Sequence, residues 1–280
     1  MTNTIFSATG CARCNITKRY MKENDISYEE FDIRAEGKTE FSKFYRENRK
    51  NIFRDKDGVE FPVFTDGVVI RQGVSVVLGY LVAKDKLTGF IKRSELHGEW
   101  LDGIDISGGD PGHKEDLIKV VSHLKQNGLK IQAKTSGKNS VVLEALIKKN
   151  LVDKVIMEVK GPVSLYPTLL ESPVEEEDIK RSIKLTCTSP EYSFFTTIVP
   201  YKSRTDNKVN FISSEEVAEA AKLIEEESQS KKQPYTLHSF DPEACKDEHL
   251  SSVEPLPSSA LFKYRSAARR HQVMTEIGKK

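Results

Sequence analysis

From residue 101 to residue 270 the chain alternates between short β-branched or aromatic runs and longer stretches of helical period. Strands are expected at 101–106, 130–134, 155–159, 192–199 and 235–240, and helices at 86–98, 115–127, 141–149, 177–186, 214–227 and 257–270. A strand followed by a helix and another strand pairs in parallel, because the crossover brings the chain back in the same direction. The pattern predicts a parallel sheet, open or barrel-like, with a ligand site in the loops that follow the strands.

The first 84 residues follow a different order. A strand at 4–7, a helix at 14–24, a strand at 27–33 and a charged amphipathic helix at 38–50 come first. Phe61-Pro62-Val63-Phe64, an Asp66-Gly67 turn, Val68-Val69-Ile70 and a closing helix at 75–82 complete a βαβ unit followed by ββα. Cys11-Ala12-Arg13-Cys14 sits between the first strand and the first helix. The first turn of a helix carries unpaired N–H groups that favour a thiolate. Two intervening residues let both sulfurs meet across one turn, so a mixed disulfide at Cys11 is open to attack by Cys14. Arg13, Lys18 and Arg19 are expected to add positive potential that favours the thiolate. The other cysteines, Cys187 and Cys245, are distant in sequence, which is poor spacing for a zinc site.

With CxxC after strand one and Pro62 opening strand three, this segment resembles the glutaredoxin branch of the thioredoxin fold. The resemblance implies that Cys11 is the exposed nucleophile and Cys14 the resolving thiol. It also implies that Pro62 is a cis-proline facing them and docking a peptide or glutathione through the backbone. The Ala-Arg between the cysteines replaces the more usual Pro-Tyr, and 72–75 lacks the paired acidic residues that many glutaredoxins use to hold glutathione. A client protein disulfide or a dedicated reductase is therefore expected as partner alongside glutathione.

Ile106-Ser107-Gly108-Gly109-Asp110-Pro111 resembles the glycine-glycine-acid-proline motif of radical SAM enzymes. Thr135-Ser136-Gly137, Met157-Glu158-Val159-Lys160, the stretch 195–200 and the stretch 237–243 follow in the matching order. Together they are similar to the activating proteins of glycyl-radical enzymes, most closely those of anaerobic ribonucleotide reductase, over about residues 86–272. The resemblance implies S-adenosylmethionine or an iron–sulfur cluster as cofactor candidates, with Gly108, Gly109 and Lys160 as cofactor-binding residues. The CxxxCxxC triplet that binds the cluster in that superfamily is absent, so radical generation of the usual kind is not expected. Phe195 and Lys134 also replace an arginine and an acidic residue common among those activating proteins. Gly108-Gly109 also reads as a plain tight turn, and His97, His113 and His249 read as surface residues.

The expected fold class is α/β: a thioredoxin-fold domain over 1–84 and a partial (β/α) barrel of the radical SAM type, without cluster ligands, over 85–280. Lys plus Arg is 43 against 42 for Asp plus Glu, so no overall charge favours nucleic acid or a membrane surface. No apolar run spans a bilayer and no signal peptide is evident, which gives a cytoplasmic expectation. There a CxxC near a βαβ pattern is more often catalytic or metal-binding than a structural staple. Two functions follow. In the first, Cys11 and Cys14 form a thiol–disulfide oxidoreductase, and the barrel recognises a client protein or a nucleotide-like ligand. In the second, the chain is a redox-sensing or iron–sulfur-binding pseudoenzyme, a regulatory module related to radical SAM activating proteins. No metal site and no oligomeric state are read from the residues.

Overall fold

Period-two alternation places successive residues of a strand on opposite faces of its sheet, and Ile5 and Phe6 show this in β1 (Asn3–Ser7). The computed structural model describes residues 2–56, 58–170, 172–202, 209–245 and 247–278. In it, Ile5 joins Met21, Phe64, Val77 and Tyr80 in a core on one side of the first sheet. Phe6 turns the other way and packs its ring against Phe31, Phe41 and Phe44, at 5.6, 5.2 and 4.7 Å between centroids.

This sheet is built from β1, β2 (Tyr28–Asp32), β5 (Val63–Thr65) and β6 (Ile70–Gln72), in the order β2-β1-β5-β6. β2 pairs with β1 in parallel, whereas β5 is antiparallel to both β1 and β6. Helices α1 (Ala12–Glu23), α2 (Lys38–Glu47) and α3 (Val74–Ala83) and a two-residue-per-strand hairpin, β3 (Arg54–Asp55) with β4 (Gly58–Val59), complete the segment. The return strand begins at Ile70 rather than Val68. Asp66 accepts hydrogen bonds from the backbone N–H groups of Val68 and Val69, each at 3.0 Å, and from the Tyr80 hydroxyl at 2.5 Å. These bonds fold the turn back on itself and leave Val68 exposed.

The helix expected at 86–98 does not form. A 3-10 turn over Lys84–Leu87 is followed by extended chain, with a bridge between Ile91 and Ile104. The cause is the buried Asp102, whose Oδ1 accepts bonds from Ser94 Oγ, Glu95 N and Leu96 N at 2.8, 2.7 and 3.1 Å. Those N–H groups would otherwise bond within a helix.

The remaining elements run β7 (Trp100–Asp105), α4 (Lys114–Gln126), β8 (Lys130–Thr135), α5 (Ser140–Lys148), β9 (Lys154–Glu158), α6 (Tyr166–Leu169), α7 (Glu176–Thr186) and β10 (Glu191–Ile198). A hairpin of β11 (Pro200–Lys202) and β12 (Val209–Phe211) precedes α8 (Ser214–Ser228), β13 (Tyr235–Ser239), α9 (Glu248–Ser251), α10 (Leu261–Ala268) and β14 (Glu276–Ile277). The six-stranded sheet has the order β14-β13-β10-β9-β8-β7 and is parallel. A parallel sheet buries both faces and so reads as near-continuous apolar sequence. Met157, Phe194, Ile198, Tyr235 and Leu237 from the strands pack with Ile179, Ile183, Val217, Ile224 and Leu261 from the helices. By compactness the chain divides into Met1–Gln132 and Ala133–Lys280, a division that falls inside β8. Among the described residues no helix is long and apolar enough to cross a membrane.

Helix α8 begins with a reciprocal cap. Ser213 Oγ accepts the Glu216 N–H at 3.2 Å, and the Glu216 carboxylate accepts the Ser213 N–H at 2.6 Å. Ser213→Ala is expected to cost about 1 kcal/mol. Urea unfolding of both chains measures it, as a lower midpoint at unchanged slope.

Candidate functional site

The helix cap explains why a cysteine stands at position 11. Its backbone is extended (φ −77°, ψ 102°), and its Sγ accepts the Cys14 N–H at 3.1 Å, the bond a serine or aspartate oxygen makes at other helix starts. Gly10 supplies the positive φ of 80° that turns the chain into the cap, closed by Cys11 N–H donating to the Ala8 carbonyl at 2.9 Å. Cys11 and Cys14 form a disulfide, with Cα atoms 5.3 Å apart. Cys14 is 1% exposed and Cys11 half-buried, so the sulfur a solute meets belongs to Cys11. The peptide bond between Phe61 and Pro62 is cis, immediately before β5, the neighbour of β1.

Two of the three cations expected to act on the pair meet carboxylates. Arg13 pairs with Glu60 at 3.4 Å and Lys18 with Glu30 at 2.7 Å. Arg19 donates to Asn127 Oδ1 at 2.6 Å. The sequence shows the cations plainly, but their partners lie 47, 12 and 108 residues away and come close only through the fold.

The glycines of Gly108-Gly109 are accounted for by packing. A Cβ on Gly108 would stand 2.6 Å from the Gly89 carbonyl oxygen, and one on Gly109 would enter the Phe90 ring. The neighbouring carboxylates are engaged as well. Asp105 pairs with Lys92 at 2.5 Å, and Asp110 accepts the Gly112 N–H at 2.8 Å.

In the Ala133–Lys280 unit, polar groups collect where β9, β10 and β13 end. Lys160 Nζ pairs with Glu158 Oε2 at 2.6 Å, and Glu158 Oε1 accepts from the Thr197 hydroxyl at 2.9 Å. The Lys160 backbone N–H donates to the Tyr166 hydroxyl at 3.2 Å. His238 meets the edge of Phe195 at 5.2 Å between ring centres. Burial holds the His238 imidazole below its ordinary pKa, against an upward pull from Glu158. A cavity of about 680 Å³ is lined by His238, Asp241, Glu243 and Leu261, among others. A second, of about 520 Å³, is lined by Lys160, Pro200, Tyr201, Phe240 and Cys245. Sequence reading singled out Lys160 and passed over Thr197, whose only signal was its place two residues after Phe195.

The residues do not fit an iron–sulfur cluster. Cys11 and Cys14 are bonded to each other, and burial pushes the Cys187 thiol up to about 11, away from the thiolate a cluster needs. Among the described residues no group of three or more His, Cys, Asp or Glu is placed to hold a metal ion. His97 is exposed, His113 is half-buried beside Asp116 at 3.4 Å, and the His249 side chain lies outside the described residues.

For His238 the unfolded chain takes up a proton first, since the folded pKa is the lower one. The stability it contributes is complete above about pH 6.5 and is lost as pH falls through the folded value. His238→Gln is therefore expected to show a smaller fall in Tm between pH 7.5 and pH 5 than the unaltered chain, measured by thermal unfolding at matched ionic strength.

No protein-family model matches the chain, and no curated protein matches it. Among solved structures, the chain is similar to the crystal structure of a domain of pyruvate-formate lyase-activating enzyme from Bacteroides vulgatus ATCC 8482. The identity is 11% and the TM-score 0.42, over 63% of this chain and 98% of that one.

Proposed function

We propose that the chain is a redox-sensing regulatory module in which the Cys11–Cys14 pair passes between disulfide and dithiol. The observation that carries this reading is the tether on the residue between the cysteines. The Arg13 guanidinium donates to the carbonyl oxygens of Leu96 and Trp100, at 2.7 and 2.9 Å. A sensor needs its redox pair tied to a segment that can report the change, and here that segment is the chain's own residues 93–100. The redox step balances with glutathione: the disulfide takes two electrons and two protons from two glutathione thiols, which join as one glutathione disulfide.

Within this reading, residues 1–84 form the thioredoxin-fold part, supported by the strand order β2-β1-β5-β6 and by a disulfide at the start of α1. Residues 85–280 form a partial barrel related to radical SAM activating proteins, without their cluster. A nucleotide-like ligand such as S-adenosylmethionine is assigned to Lys160, supported by its place on the 520 Å³ cavity. No chemical step is routed through it.

A second reading, thiol–disulfide exchange, is favoured by one observation: Cys11, at the helix N-terminus, is the more exposed sulfur. In that case the Cys11 thiolate attacks a client protein disulfide and displaces one client thiolate, which takes a proton. Cys14 then displaces the second, leaving Cys11–Cys14 oxidised and the client reduced by two electrons.

The sensing reading expects backbone hydrogen exchange in residues 93–102 to differ between chains poised in reduced and in oxidised glutathione. Equal protection in both states would overturn it. A Cys14→Ser chain is expected to gather no defined client. Stoichiometric capture of one protein as a mixed disulfide, with turnover by the unaltered chain, would establish exchange instead.

A further inference from the structure

Arg13 is an unusual occupant of the position between two cysteines because its side chain is only 14% exposed. Its ion-pair partner Glu60 is 17% exposed and faces two guanidinium groups. Arg13 Nη1 lies 3.4 Å from Glu60 Oε1, and Arg93 Nη1 lies 3.6 Å from Oε2. Oε2 is buried and has no hydrogen-bond partner, so that oxygen is held by charge alone. Arg93 is in turn seated over the Phe53 ring, 3.7 Å from its centre. Gln72 Nε2 donates to the Glu60 carbonyl at 3.0 Å, and Gly73 leaves room that a Cβ would take, 3.1 Å from Glu60 Oε1.

The local arithmetic is two cations and one anion around the side chain of Arg13, the residue next to Cys14 in the chain. Burial pushes the Glu60 carboxyl above its ordinary range, and the attraction of Arg13 and Arg93 opposes this. Where water is largely excluded, removing the single anion exposes nearby groups to a stronger positive field. Such a field stabilises a thiolate, and stabilising the thiolate stabilises the reduced pair.

We infer that Glu60 is a positioning residue for the Cys11–Cys14 pair: by pairing with Arg13 it sets how readily Cys11 ionises and where the balance between dithiol and disulfide lies. The inference rests on the redox reading above and assigns the residue that tunes it. Glu60 touches neither sulfur and acts through Arg13.

The test uses the full chain reduced with a phosphine, with alkylation of the Cys11 peptide followed by mass spectrometry as a function of pH. Glu60→Gln keeps the shape and removes the charge. Its alkylation midpoint is expected to fall by about half to one pH unit, which speeds alkylation below the midpoint by about threefold to tenfold. In glutathione buffers the same variant is expected to hold more dithiol than the unaltered chain. Arg13→Gln is expected to move both readouts the opposite way, a reversal that loss of packing alone would not produce. An unchanged alkylation profile in Glu60→Gln overturns the inference. If that variant fails to fold, an unchanged profile in Arg13→Gln does so. Failure of the unaltered pair to equilibrate with glutathione overturns the redox reading instead, and the alkylation profiles still decide the role of Glu60.

Discussion

Parallel strand pairing is the constraint on which most of this chain depends. A strand cannot return beside its neighbour in the same direction without a crossover, and the crossover must cover the sheet it leaves. That requirement makes α5, α7 and α8 packing elements as well as connections. It also sets the buried side chains of β9, β10 and β13 against those helices, with Glu158, Thr197 and His238 toward the strand ends. Glu158, Lys160, Thr197 and His238 stand together there because parallel strands share one direction.

The first sheet solves a different problem. It mixes one parallel and two antiparallel pairings, so its strands can be short and its connections tight. The cysteine pair sits at the end of the central strand β1, where α1 begins. Its environment is set by charge pairing: Arg13 with Glu60, Lys18 with Glu30, and the carbonyl groups of Leu96 and Trp100 on the far side of Arg13. Two of its cations meet carboxylates, Arg19 meets a neutral amide, and Arg93 brings a further positive charge to Glu60.

Much of the architecture was legible in sequence because its signals are local. The β-branched runs and the helical periods each lie within a few residues. The segment 86–98 was misread for a physical reason. Its polar, helix-compatible composition is overruled by Asp102, which draws the N–H groups of Glu95 and Leu96 to a buried carboxylate. The β3–β4 and β11–β12 hairpins and the short β14 were missed, because two- or three-residue strands carry no measurable period. Of the candidate site, Cys11, Cys14, Pro62 and Lys160 were visible as residue types at meaningful spacing. Glu60 gave no signal.

The sequence by itself determined the alternation that demands a parallel sheet, the two-residue gap that lets two sulfurs meet, and the absence of a cluster-binding cysteine triplet. Tertiary structure alone decided which charges are spent. It brought Glu60 to Arg13 across 47 residues, seated Gly109 against Phe90, and brought the Thr197 hydroxyl to Glu158 across 39. The reason is one of range. Periodicity and capping act within a turn or a strand, whereas the energy of a charge depends on what the whole fold places a few ångströms away.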